Sequence, residues 1–200
     1  MKLYYAPGAC SLNPHIILRE SGLPFELDRI DNRAKKTEDG SDYLAVNPKG
    51  QVPALMLDDG TVLTENGVIS QYIADKASGA HLAPKPGTME RYRLQEWLSF
   101  IGSEIHKSYA NLFNPNAPED IKAAARQRVA QKIAVVDKAL EGKDYLLGTF
   151  SVADTYAYVI MSWAKRFGID ISNLKNVTAF LDRIAARPSV REARKVEGLD

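Results

Sequence analysis

The clearest chemical group in this sequence is a lone thiol, Cys10, between a predicted strand and a predicted helix. A thiol at the start of a helix meets unpaired backbone N–H groups and the positive end of the helix dipole, and both favour the thiolate. The position therefore predicts a lowered pKa for Cys10, although a lone cysteine is also often only a small buried apolar side chain. Because Asn13 stands where a Cys-x-x-Cys pair would have its second thiol, disulfide chemistry must take that thiol from a small molecule or a partner.

Two further candidates lie at the starts of predicted elements. Val52–Pro53 opens a strand, a position that tolerates proline. Its peptide bond is either an ordinary trans bond or a cis bond that would let the Val52 backbone pair with an extended peptide ligand. Glu65 and Asn66 open the next helix, where an acidic side chain either compensates the helix dipole or binds a ligand ammonium. In the second case the helix N-terminus would take a ligand carboxylate, which fits an amino-acid-like head group.

The second half of the sequence carries one polar pattern and one capping signal. Ser99, Ser103 and His106 fall at helical spacing and predict one shared helix face. This face is either solvated or a polar wall on which His106 and Lys107 bind an anionic ligand. Residues 151–154 read SVAD, which has the form of a capping box before an apolar helix and predicts a structural role.

Composition excludes several classes of protein. The 26 Lys and Arg against 25 Asp and Glu give a net charge of +1, unlike the strong basic excess of a dedicated nucleic-acid binder. One cysteine and three dispersed histidines provide no metal-ligand pattern. The sequence has neither a phosphate-binding glycine loop nor a Gly-x-Ser-x-Gly elbow. No apolar run approaches the about 18 residues of a membrane span, and no secretory signal is recognisable, so we expect a cytoplasmic protein.

The first third of the chain predicts an α/β domain at 1–78 with the order β-α-β-α-β-β-α. Strands are predicted at 2–5, 25–30, 52–57 and 61–64, and helices at 12–20 and 66–77. The short helix between the first two strands predicts a parallel pair, and the Asp59–Gly60 hairpin signal predicts an antiparallel edge.

A Pro- and Gly-rich stretch at 79–87 is a candidate linker, and 88–200 shows only helical periodicity. Two apolar stripes predict buried helix faces, the first formed by Leu94, Leu98, Ile101 and Ile105, and the second by Ile121, Val129, Ile133, Val136 and Leu140. Residues 152–163 carry a single charge and predict a buried central helix. A last helix at 177–186 is expected to stop at Arg187–Pro188.

Four motifs together resemble the bacterial cytosolic glutathione S-transferases of the beta class, and the resemblance covers essentially the whole chain. The motifs are YYAPGACS at 4–11, NPKGQVPAL at 47–55, LTEN at 63–66 and SVAD at 151–154. The resemblance implies a thioredoxin-like N-terminal domain, an all-helical C-terminal domain and a homodimer. It also implies glutathione as the co-substrate, without a metal, and conjugation of glutathione to small hydrophobic electrophiles.

The resemblance further implies the site residues. Cys10 and His106 would be catalytic, with Cys10 near the glutathione sulfur and able to form a mixed disulfide with it. Val52, before a cis Pro53, would pair with the glutathione backbone, and Glu65 and Asn66 would bind the γ-glutamyl group. Lys35 and Lys107 with His106 would lie around the sulfur and the glycyl carboxylate. The remaining implied contacts are Ser11 beside Cys10, Gln51, and Ser99 and Ser103 from the neighbouring subunit. This chain departs from the family where Asn66 replaces a common Ser or Gly and Ser99 replaces a common Asn.

Two modes of action are expected from these residues. In conjugation, helix N–H groups and His106 lower the pKa of the glutathione thiol, and the electrophile rests near Phe113 and Trp163. In thiol transfer, Cys10 attacks a disulfide and glutathione resolves the adduct. Alternatives are a non-catalytic glutathione-binding protein, a reductive dehalogenase of aromatic compounds and a scaffold protein.

Overall fold

The computed structural model describes residues 1–200, the side chain of Ser78 excepted. The chain forms two compact units, one of Met1–Ala83 with Arg187–Asp200 and one of Pro84–Ala186. The division at Ala83 falls inside the stretch expected as a linker. The sequence places the last residues in the helical domain, whereas here they pack in the first unit.

The first unit is built on a mixed four-stranded sheet. Its strands are β1 (Lys2–Tyr5), β2 (Glu26–Arg29), β3 (Ala54–Met56) and β4 (Val62–Thr64), in the order β2-β1-β3-β4. β1 pairs parallel with β2 and antiparallel with β3, and β3 pairs antiparallel with β4. Gly60 takes φ +84 in the β3–β4 hairpin, a conformation that favours glycine. The expected parallel pair and antiparallel edge are confirmed.

Helices of the first unit place the candidate thiol at the end of β1. They are α1 (Leu12–Ser21), α2 (Tyr43–Val46) and α3 (Asn66–Lys76), followed by a short 3₁₀ turn at Ser78–Ala80. α1 packs against α3 and buries Ile16, Ile17 and Leu18 almost completely. The helix ends at Gly22, which takes a left-handed φ of +67. The β1–α1 turn is thereby anchored at both ends by buried elements.

The end of the chain returns to the first unit as α9 (Pro188–Val196), which packs against α1. The predicted stop at Arg187–Pro188 holds for the preceding helix, but Pro188 also begins a further helix that the sequence did not predict. Proline suits this first helical position because its missing N–H would have no partner there. The Arg187 guanidinium donates to both carboxylate oxygens of Glu20, at 2.7 and 2.9 Å, which ties the start of α9 to α1.

Every regular element described in the second unit is helical, as expected. α4 (Met89–Phe100) continues into a π-helix at Ile101–His106 and a 3₁₀ turn at Lys107–Tyr109. The remaining helices are α5 (Ala110–Phe113), α6 (Glu119–Ala139), α7 (Val152–Arg166) and α8 (Lys175–Ala185).

Helix α7 is the buried centre of this unit, as the sequence predicts. Its start is the expected capping box: the Ala153 N–H donates to Ser151 Oγ, and the Ser151 N–H donates to Asp154 Oδ2 at 2.8 Å. The Leu146 N–H also donates to the Asp154 carboxylate. Asp154 therefore satisfies buried amides that water cannot reach.

The two predicted apolar stripes differ in accuracy. The stripe of α4 and the π-helix is buried throughout. In α6 the stripe is buried from Val129 onward, but the prediction for Ile121 is wrong, since its side chain is 42% exposed in the first turn.

Candidate functional site

The Cys10 thiol lies at the start of α1 and points at the backbone just before Pro53. Its Sγ donates to the Val52 carbonyl at 3.2 Å, and the Val52–Pro53 peptide bond is cis. The Asn66 amide at the start of α3 favours the thiolate form of the same sulfur. The structure thus brings three of the predicted site residues, Cys10, Val52 and Asn66, to one place.

Burial raises the pKa of the Cys10 thiol to about 11, although the Asn66 amide and the backbone N–H groups of Cys10 and Ser11 act in the opposite direction. The prediction of a lowered pKa from the helix start is therefore wrong for this state. The N–H groups are where the sequence places them, but burial outweighs them, although Cys10 keeps part of its surface exposed to solvent. At neutral pH the thiol is protonated and acts as a hydrogen-bond donor.

The Ser11 side chain makes no capping hydrogen bond at the start of α1. Its hydroxyl is fully buried, accepts from the Ala6 N–H at 3.1 Å and donates to the Ala6 carbonyl at 3.2 Å. These bonds close the turn that carries Cys10. Ser11 thus shapes the site from beneath, through the backbone that it holds.

Glu197, which follows α9, supports the same turn from the other side. Its buried carboxylate accepts from the Gly8 N–H at 2.9 Å and lies 2.8 Å from His15 Nδ1. The Arg19 Nε donates to His15 Nε2 at 3.0 Å, so this nitrogen is unprotonated and Nδ1 carries the proton toward Glu197. Leu199 packs close to Gly8, where an added Cβ would lie 3.2 Å from its Cδ2.

A buried amide pair orients the Asn66 side chain. Asn13 Nδ2 donates to Asn66 Oδ1 at 3.1 Å and to Ser70 Oγ at 3.0 Å. Since the Asn66 oxygen is taken by Asn13, its NH₂ group is left for the Cys10 sulfur. Asn13, at the position of a second thiol, therefore acts here by orienting a hydrogen-bond donor.

Lys35 and Gln51 lie on either side of Gly50. The Lys35 ammonium donates to the Gly50 carbonyl at 2.6 Å. The Gln51 carbonyl accepts from the Tyr43 hydroxyl and from Asn47 Nδ2, at 2.8 and 2.7 Å, while the Gln51 side chain is exposed. The backbone leading to Val52 is therefore fixed by buried side chains.

Glu65 begins α3 with φ +71, a conformation that is unusual for a residue with a side chain. Its carboxylate is mostly exposed and pairs with Lys49 Nζ at 2.7 Å. The same ammonium donates to Thr64 Oγ1 at 3.0 Å. The predicted carboxylate for a ligand ammonium is thus accessible and already carries one cationic partner.

In the second unit, His106 belongs to an aromatic cluster that also contains Tyr156, Trp163, Phe113 and Tyr109. The His106 Nδ1 lies 2.9 Å from the Tyr156 hydroxyl, and its ring centroid lies 5.3 Å from that of Trp163. Trp163 also meets Phe113 edge to face at 5.0 Å and Tyr109 at 5.4 Å. Tyr109, Tyr156 and Trp163 are buried in this cluster, whereas His106 is half-buried and Phe113 is 44% exposed.

The other polar residues of this stretch are exposed, namely Ser99, Ser103 and Lys107. The π-helix between Ile101 and His106 changes the helical period, so that His106 turns toward α7 while the two serines face solvent. The prediction of one face shared by Ser99, Ser103 and His106 is therefore not met.

Comparison with known proteins identifies the family. The model of the glutathione S-transferase N-terminal domain matches residues 8–76, and that of the C-terminal domain matches residues 92–188. The glutathione S-transferase GstA of Escherichia coli O157:H7 is 44% identical over 200 residues, which cover 100% of both chains. The chain belongs to the glutathione S-transferase family. It is a transferase with glutathione as its co-substrate.

Solved structures place this transferase among bacterial members of the beta class. BphK, a bacterial glutathione S-transferase solved as a ternary complex, has a TM-score of 0.98 and 51% identity, and the match covers 100% of both chains. A sphingomonad enzyme solved with glutathione has a TM-score of 0.97 and 49% identity over 100% of both chains. The beta-class enzyme of Sphingomonas chungbukensis has the same values. The suspected resemblance is confirmed.

The described residues offer neither a metal-binding cluster nor a helix able to span a membrane. They contain no group of three or more His, Cys, Asp and Glu side chains that could hold a metal ion. Among their helices, none combines the length and the apolar character that crossing a membrane requires.

Several residues that shape the site of this transferase escaped sequence reasoning. Glu197 meets His15 across 182 residues of sequence, and no local pattern signals such a pair. Tyr156 was readable only as part of an apolar helix. Asn13 was noted for the thiol that it replaces, whereas its contact with Asn66 depends on how α1 packs on α3.

Proposed function

We propose that this transferase conjugates glutathione to small hydrophobic electrophiles and also exchanges disulfides through Cys10. The observation that carries the proposal is the convergence of the Cys10 thiol, the Val52 carbonyl and the Asn66 amide at the starts of α1 and α3. A donor thiol, a backbone acceptor and an amide in one place suit a bound peptide with a thiol of its own.

Glutathione is placed along these groups by the resemblance. Its cysteinyl backbone pairs with Val52, and its γ-glutamyl group meets Glu65 and Asn66. Lys35 takes the glycyl carboxylate, since its half-buried ammonium uses one N–H on the Gly50 carbonyl and has two more to donate. Lys107 and Gln51 complete the polar contacts.

In conjugation the thiolate sulfur of glutathione attacks the electrophilic carbon. The C–S bond forms, the bond to the leaving group breaks, and the leaving group departs with the electron pair, while the thiol proton passes to solvent. Protonated Cys10 has one S–H donor, which supports this mode by turning from the Val52 carbonyl to the thiolate, and His106 is a second donor. The exposed Phe113 ring, which packs on Trp163, suits an apolar electrophile.

In exchange the Cys10 thiolate attacks one sulfur of a disulfide. A mixed disulfide forms and the second sulfur leaves as a thiolate. A glutathione thiolate then attacks the mixed disulfide, which gives oxidised glutathione and regenerates the Cys10 thiolate. No other cysteine is available in the chain to resolve the adduct.

The proposal includes a cytoplasmic homodimer in which Ser99 and Ser103 of each subunit reach the glutathione site of the other. Both side chains are exposed, as such a contact requires. Sedimentation equilibrium should give twice the chain mass of 22.1 kDa, and Ser103→Ala should raise the KM for glutathione without changing that mass.

The test compares wild type, Cys10→Ser and Cys10→Ala in two assays. One follows conjugation of glutathione to 1-chloro-2,4-dinitrobenzene, and the other follows reduction of bis(2-hydroxyethyl) disulfide by glutathione. Both variants should lose exchange, while Cys10→Ser keeps more conjugation than Cys10→Ala because its hydroxyl still donates. Equal loss of both activities would contradict the two modes. Glutathione binding without turnover would indicate a binding protein instead.

A further inference from the structure

Lys49 lies beside the predicted γ-glutamyl contact without having been assigned any role. Its backbone is fixed by Asn47, whose Oδ1 accepts from the Lys49 N–H at 3.1 Å and whose carbonyl accepts from the Gly50 N–H at 2.8 Å. Asn47 is itself buried. The turn therefore holds its shape without help from the Lys49 side chain.

The Lys49 side chain instead reaches across to the start of α3. Its ammonium donates to Glu65 Oε1 at 2.7 Å and to Thr64 Oγ1 at 3.0 Å. An ammonium has three N–H donors, so one is not used within the described part of the chain. Glu65 Oε2 likewise makes no hydrogen bond among the described residues. Both side chains are more than half exposed.

The pair thus presents one open ammonium N–H next to one open carboxylate oxygen. An α-amino acid head group carries the matching charges, a carboxylate and an ammonium attached to the same carbon. Placed head to tail on the pair, the ligand ammonium meets Glu65 Oε2 and the ligand carboxylate meets Lys49. The first N–H groups of α3 lie beside the same carboxylate and add to its binding.

We propose that Lys49 is a specificity-determining residue that binds the α-carboxylate of the γ-glutamyl group while Glu65 binds its ammonium. The inference rests on the proposed placement of glutathione. It assigns the two halves of the head group to two different side chains.

The test uses two glutathione analogues, each lacking one charge. γ-Aminobutyryl-cysteinyl-glycine has no α-carboxylate, and glutaryl-cysteinyl-glycine has no α-ammonium. Binding of glutathione and of both analogues is measured by calorimetry for wild type, Lys49→Met and Glu65→Gln. Lys76→Met is the matched control, because it removes the same charge at the other end of α3, about 15 Å away.

Lys49→Met should weaken glutathione and the glutaryl analogue about tenfold and leave the aminobutyryl analogue unchanged or slightly tighter, since only the first two carry the carboxylate. Glu65→Gln should weaken glutathione and the aminobutyryl analogue and leave the glutaryl analogue unchanged, since only the first two carry the ammonium. Lys76→Met should bind all three ligands as wild type does.

Three results with Lys49→Met would overturn the role of Lys49 without bearing on the glutathione site itself. They are equal weakening of all three ligands, no change in binding, and tighter binding of glutathione. The first would indicate a purely structural role and the last a competitor. Failure of the proposed glutathione site is a separate outcome. It would appear as wild-type protein that does not bind glutathione, or as a Glu65→Gln variant that binds every ligand normally.

Discussion

Reactivity of the Cys10 thiol should depend steeply on pH across the whole neutral and mildly alkaline range. Burial raises the pKa of this thiol to about 11, against an ordinary value of 9.0. The thiol is therefore mostly neutral at every pH below its pKa, and there each rise of one pH unit multiplies its thiolate fraction about tenfold. From these values the thiolate fraction at pH 7 is about 10⁻⁴, roughly a hundredfold below that of an ordinary thiol.

The assay is alkylation of the glutathione-free protein by iodoacetamide, followed by intact mass. Because Cys10 is the only cysteine, every alkylated thiol is this one. The rate should rise about tenfold per pH unit from 7 to 9.5 without a plateau. Asn66→Ala removes a hydrogen bond that stabilises the thiolate, so it should slow alkylation about tenfold at each pH.

The control is Ser70→Ala, which removes one acceptor of the Asn13 amide and leaves the bond from Asn66 to the sulfur in place. Its alkylation should follow wild type within about twofold. A plateau of the wild-type rate below pH 8 would refute the reasoning, since it would show that the helix N–H groups outweigh burial. Faster alkylation of Asn66→Ala would refute the part assigned to the amide.

Three further outcomes concern stability. Glu197→Ala should lower the free energy of unfolding by about 3 kcal/mol in urea denaturation, because it leaves the His15 ring and the Gly8 N–H buried without their acceptor; a loss under 1 kcal/mol would contradict this support. Asp154→Ala should cost about 3 kcal/mol in the same assay, since at least two buried N–H groups lose their acceptor. Tyr109→Phe should keep or raise the melting temperature, because the buried Tyr109 hydroxyl has no hydrogen-bond partner among the described residues; a clear drop would show that it has one.

Where local signals agree, the sequence predicts the elements closely. Strand β1 and the start of α7 have the expected bounds because each is set by neighbouring residues: a β-prone run that stops before Pro7 and Gly8 in one case, the Ser151 and Asp154 cap in the other. The helix that begins at Pro188 was missed because the local signal there is ambiguous. Proline ends one helix and begins the next, and no local pattern separates the two.

Site residues were predictable as a set only through the four family motifs, and their interactions were not. His106 was expected from the family resemblance, but its turn toward Tyr156 depends on a π-helix, which has no signature in the residue types of 101–106. Ser11 was expected as a ligand contact beside Cys10. Its hydroxyl instead binds Ala6, five residues back, because the β1–α1 turn folds over it.

The pKa of Cys10 shows most directly why local reasoning stops where it does. Helix N–H groups beside a thiol are a property of the sequence, and they act here in the predicted direction. Burial of the sulfur raises the pKa more strongly than the N–H groups lower it. This burial depends on residues distant in the sequence, such as Val52, whose carbonyl contacts the sulfur. A bound glutathione thiolate would meet a neutral donor at this position rather than a second anion. The same burial that slows Cys10 as a nucleophile therefore suits it to stabilise the sulfur of its co-substrate.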